Sequence, residues 1–110
     1  MKDFLSEKEI ERAVRYLATS AEEFALAKAN MKYLEHKRKS VRAVISLRQT
    51  GKSQAENGTR AEASQEYQDL LEELKDSIAI FTIIDAKRAA AEIWVEVFRT
   101  QEASKRRGNI

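Results

Sequence analysis

The chain has 110 residues, 35% charged and 43% hydrophobic, with no Pro and three Gly, which suits one small soluble domain and leaves little room for two. Twenty Lys and Arg against 18 Asp and Glu give a net charge of +2, so the broad basic field of a histone-like or polyanion-coating protein is excluded and any basic activity has to be local. Without Cys there are neither disulfides nor thiolate metal sites, and the single His36 cannot supply a cluster in their place.

Ser6-Glu7-Lys8-Glu9 has the spacing of a capping box and predicts a helix start at residue 6. From there Ile10, Ala13, Leu17, Ser20, Phe24, Ala27, Met31, Leu34, Arg38, Val41, Ile45 and Arg48 follow in steps of three and four, a heptad seam that predicts a helix over 6–48. Thr19 and Ser20 offer a fresh cap and hence a kink near residue 19, while the unbroken seam argues for continuity or a mild bend. Residues 49–58 hold no large apolar side chain and contain the turn pairs Thr50-Gly51 and Asn57-Gly58. They predict a loop over 49–63, with at most one short turn of helix from Thr59 to Glu62.

Ser64 caps a second helix over 64–105, whose seam reads Tyr67, Leu70, Leu74, Ser77, Phe81, Ile84, Arg88, Ala91, Val95 and Phe98. The run Ile78 to Ile84 resembles a buried strand in isolation, but its helix-favouring flanks offer a strand no exit. The expected fold is therefore all-α, a long antiparallel helical hairpin. With the turn centred near residue 57 or 58, Leu34 faces Phe81, Met31 faces Ile84, Val41 faces Leu74, Ile45 faces Leu70, and bulky Phe24 faces small Ala91.

One hairpin cannot use all the apolar surface of the second helix. Beside the first seam stands a second apolar row, Ile80, Ile83, Ala90, Trp94 and Val97, and a helix apolar nearly all round is a buried one. The expectation is self-association through these five residues, most simply a dimer forming a four-helix bundle. The competing arrangement folds residues 1–20 over the same face as a separate helix and yields a monomeric three-helix bundle.

Charge is segregated along the chain. Lys37, Arg38, Lys39, Arg42, Arg48 and Lys52 form a block without an acid, and residues 56–76 carry seven acids against Arg60 and Lys75. The hairpin lays one block along the other, so an ion-pair ladder with Lys39 and Arg42 opposite Asp76 and Glu73 is expected. The C-terminal Lys105, Arg106 and Arg107 have less acidic counterweight; with Arg99 they form the candidate nucleic-acid contact, and they also complement the helix dipole.

Gly51-Lys52-Ser53 lacks the upstream glycine and strand of a phosphate-binding loop, and Asn57-Gly58-Thr59 reads as turn chemistry. Glu72, Glu73 and Asp76 read as a solvated face. No nucleophile with a base, no metal set and no cofactor cradle is legible, so no catalytic residue, metal or cofactor is expected. There is no leader pattern and no run of about 18 uncharged apolar residues, which predicts a cytoplasmic protein that does not enter membranes.

Ser64-Gln65-Glu66-Tyr67-Gln68-Asp69-Leu70-Leu71-Glu72-Glu73-Leu74, Lys87 to Glu92, Arg99-Thr100 and Arg106 to Ile110, with Tyr33 to Lys39 in the first half, resemble small helical proteins of tailed phages and prophages. The resemblance covers residues 30–110. Members of this group are often encoded near recombination or single-strand-binding genes, which implies an accessory role in phage DNA metabolism within the host cytoplasm and supplies no catalytic residue. The resulting expectation is a non-enzymatic oligomeric adaptor that contacts a protein of the recombination machinery; the alternative is a weak nucleic-acid-binding helper that uses its basic tail.

Overall fold

The computed structural model describes residues 6–108, and every regular element among them is helical. Helix α1 spans Glu7–Thr19, α2 spans Ala21–Leu47, α3 spans Gln54–Ala63 and α4 spans Gln65–Gly108. The protein is a long antiparallel helical hairpin. It divides into two compact units, one made of the chain up to Ala25 and from Thr82 onward, the other of Leu26–Phe81.

The capping box forms as the spacing predicts. Glu9 N–H donates to Ser6 Oγ at 3.2 Å, and Ser6 N–H donates back to Glu9 Oε2 at 3.1 Å. Two orphan donors at the start of α1 are thereby satisfied.

Helix α1 stops at Thr19, so the continuous helix over 6–48 is interrupted at Ser20. The interruption is one residue long and stays in the right-handed helical region (φ −91°, ψ −3°). Backbone bonds bracket it, from Ser20 N–H to Tyr16 C=O and from Phe24 N–H to Ser20 C=O, both 2.9 Å. The Ser20 hydroxyl adds a 2.6 Å bond to the same Tyr16 carbonyl, the local side-chain competition that bends helices at serine.

In the unit Leu26–Phe81 the core is two small clusters. Leu34, Leu70 and Leu74 form one; Ile45, Ala61 and Tyr67 form the other; Val41 packs against both. Between α2 and α4, Asn30 Nδ2 donates to the buried Ser77 Oγ at 3.1 Å.

These contacts correct the expected register. Leu34 was expected opposite Phe81 and clusters with Leu70 and Leu74, and Asn30, one helical turn before it, meets Ser77. In the other unit Arg88 reaches Ser20, whereas a turn centred near residue 57 or 58 would set Ser20 level with a residue one heptad further along α4. A seam that repeats every seven residues still places apolar against apolar after a shift of about one heptad.

The shift originates in the connection. Instead of a loop over 49–63, a ten-residue α3 runs from Gln54 to Ala63, so the chain turns back at 48–53. Ser53 caps α3 by accepting from Glu56 N–H at 3.1 Å. Glu56 takes the Lys52 N–H at 2.8 Å, and Asn57 Oδ1 takes the Gly51 N–H at 2.7 Å. Asn57 and Gly58 thus act from within the first turns of a helix and do not form the expected turn. Gly58 is buried because the Arg42 guanidinium lies where a Cβ would stand. Ala61 is fully buried and anchors α3 on Ile45 and Tyr67.

Ser64 then serves two helices. Its hydroxyl donates to Ala61 C=O at 2.6 Å, closing α3, and accepts from Tyr67 N–H at 3.2 Å, opening α4 where the sequence placed the cap. Helix α4 continues three residues beyond the expected end at 105, to Gly108.

Candidate interface on the last helix

In the unit that holds α1, the first seam of α4 is turned inward. Ile84 and Ala91 are buried, as are Ile10, Ala13 and Ser20 of the facing segment. Arg88 occupies the middle of this seam and forms no ion pair with a carboxylate among the described residues. Its Nη1 donates to Leu17 C=O at 2.8 Å and to Ser20 Oγ at 2.7 Å, and its guanidinium carbon lies 5.0 Å from the Phe24 ring centre. The positive charge thus sits against a carbonyl at the C-terminal end of α1, where the helix dipole favours it, and on an aromatic face.

The opposite flank is uncovered. Ile83 is 55% exposed, Trp94 47% and Val97 41%, and Ala90 is exposed as well. Ile83, Ala90 and Val97 stand seven apart, so about two turns separate each from the next and they line up along one face of α4. Trp94 stands beside this line. With Ala90 it borders a shallow groove of about 370 Å³ that α1 completes through Arg12, Ala13 and Tyr16. Helix α1 therefore leaves the second apolar row open and does not complete a three-helix core over it. Ile80, in the other unit, is also exposed.

Two residues that belong to this face were not singled out in the sequence. Ile93 is 61% exposed, the most open of the large apolar residues in this part of α4, and Ala86 is exposed one turn before Ala90. Counting threes and fours from Ile83 through Ala86, Ala90, Ile93 and Val97 finds both.

The basic candidates divide. Arg99 Nη1 is bound to Glu96 at 2.9 Å, and Lys105 lies 4.0 Å from Glu102. Arg106 and Arg107 are exposed in the last turns of α4, and neither forms an ion pair within α4 among the described residues. Asn109 and Ile110 lie outside the described residues.

The ladder between the charged blocks has other partners than expected. Arg42 Nε pairs with Glu62 of α3 at 3.1 Å and Arg48 with Glu66 at 3.4 Å, while Glu72 is bound within its own helix to Lys75 at 2.9 Å. The hydrogen bond and the charge of Glu72, with Asp76 adding to them, raise the pKa of Lys75 above the ordinary lysine range. Lys37 lies 5.8 Å over the Tyr33 ring.

No helix among the described residues is long and apolar enough to cross a membrane. Nor do three or more His, Asp or Glu gather among them as a metal set. Comparison with protein families, curated proteins and solved structures finds no match.

Proposed function

We propose that this protein is a non-enzymatic helical adaptor that self-associates and works through protein contacts, as an accessory factor of phage DNA metabolism in the host cytoplasm. The observation that supports this reading is the apolar face of α4, on which Ile83, Ile93, Trp94 and Val97 are each at least 41% exposed. Such a contiguous face is costly to leave in water and is the usual mark of an interface. The phage context rests on the resemblance of residues 30–110 alone.

The test is sedimentation of the purified protein at tens of micromolar, together with tagged capture from phage-infected cells. Wild type is expected to sediment above monomer mass and to retain a recombination-related partner; Ile83→Asp is expected to lose self-association, because it places an unpaired carboxylate in the face. A monomeric wild type would remove the reading.

A second reading is supported by Arg106 and Arg107. Here the tail, with Arg99 and Lys105, contacts nucleic-acid phosphates. Each phosphate neutralised contributes a log-log salt slope of roughly −0.7 to −0.9. Fluorescence anisotropy with single- and double-stranded oligonucleotides, comparing the full chain with one ending at Ser104, decides it: binding that disappears on truncation favours this reading, and no binding at low salt removes it.

A further inference from the structure

The exposed face of α4 has its own periodicity. Ile83, Ala86, Ala90, Ile93, Val97 and Thr100 step by three and four without a slip, and all six are exposed. At about 100° per residue this row lies opposite the inward row of Ile84, Arg88 and Ala91 on the helix circumference. Helix α4 is thus two-seamed, with the hairpin closed on one side and a second heptad seam presented on the other.

The sizes along the second seam alternate in a way that selects its partner. We propose that the occupant is α4 of a second copy of this chain, packed antiparallel about a two-fold axis near residues 91 and 92. In that arrangement Ala90 faces the partner's Ile93 and Ala86 faces the partner's Val97, and the two-fold repeats both contacts, so the four central layers each set a large side chain against a small one, with Ile83 against the partner's Thr100 at either end. On one flank Lys87 comes level with the partner's Trp94, a cation–π geometry; on the other, Glu96 comes level with the partner's Ala89. No like charges oppose each other. A parallel pairing instead stacks Ala86 on Ala86 and Ala90 on Ala90, leaving voids, and crowds Ile93 against Ile93. The antiparallel pairing also sets the two helix dipoles in opposition. This inference rests on the self-association proposed above and specifies its geometry.

The absence of native cysteine makes the geometry readable by disulfide trapping. Ala86→Cys and Val97→Cys are made as two single variants at exposed positions, their helicity is compared with wild type by circular dichroism, and each is oxidised alone and in an equimolar mixture. Antiparallel packing brings residue 86 within disulfide reach of residue 97 across the axis and holds like positions several turns of chain apart. The expected result is a disulfide-linked dimer in the mixture and none in either sample alone. Cross-linking of each variant alone, with no gain on mixing, indicates parallel packing and overturns this inference while leaving self-association intact. A wild type that sediments as a monomer overturns both. A stable dimer that shows neither cross-link places the contact elsewhere and overturns the inference alone.

Discussion

Arg88 of α4 and Ser20 are joined by a 2.7 Å hydrogen bond, at the point where the first half of the chain breaks its helix. The same guanidinium nitrogen holds the Leu17 carbonyl. A charged side chain in an apolar seam is thereby used as the clasp of a helix junction, bonding at once the Leu17 carbonyl and the buried Ser20 hydroxyl at the one-residue break.

Removing the clasp should therefore loosen the junction. Arg88→Ala is expected to destabilise the protein by about 1.5–3 kcal/mol, the range for hydrogen bonds that involve a charged group, measured by urea denaturation. Ser20→Ala is expected to cost less in the Arg88→Ala background than in wild type, because the two changes remove one shared bond. Amide exchange at residues 20–24 should accelerate in both single variants; unchanged exchange there would show that the break is held by backbone bonds alone.

The observed ion pairs distinguish the true register from its heptad-shifted alternative. Exchanging Arg42 and Glu62 by Arg42→Glu with Glu62→Arg should show a coupling of up to about 1 kcal/mol that fades with salt, as for exposed pairs. The same cycle between Arg42 and Glu73 should show no coupling. Coupling in the second cycle and not the first would restore the register expected from sequence.

Asn30 and Ser77 form the polar layer between α2 and α4 within their unit. Asn30→Ala leaves the buried Ser77 hydroxyl without its donor and is expected to cost about 1–2 kcal/mol. The double change Asn30→Leu with Ser77→Ala should recover that stability or exceed it. It should also weaken the selection of register, which a specific polar pair across a heptad seam enforces. Thermal denaturation reads the first effect, and the Arg42–Glu62 double-mutant cycle repeated in the apolar background reads the second.

Gly58 lies inside α3 under the Arg42 guanidinium. Alanine is the better helix former by about 0.5–1 kcal/mol, but its Cβ displaces the guanidinium from its place beside Glu62. Gly58→Ala is accordingly expected to stabilise by that amount in an Arg42→Ala background and by less in wild type. Equal gains in both, by chemical denaturation, would show that Arg42 does not constrain the site.

Much of the local structure was legible because its causes are local. The Ser6–Glu9 box, the Ser64 cap, the inward seam of α4 and the open row with Trp94 and Val97 all follow from residues within a turn or two of one another, and helical periodicity alone orders them. Asn57 and Gly58 misled because the same pair that makes a turn also serves a helix, once the Asn57 side chain finds Gly51 N–H and the Gly58 surface finds Arg42. Those partners are supplied by the fold.

The sequence by itself determined an all-helical hairpin, its caps and which faces are apolar, since propensity, capping and a three-four repeat are properties of short windows. Register was decided only by the tertiary structure. Two heptad seams match equally well when one slides by seven residues, so apolar patterning is blind to that slip. What removes the ambiguity is the set of contacts that do not repeat every heptad: Ala61 against Ile45, Asn30 on Ser77, and Arg88 on the broken turn at Ser20.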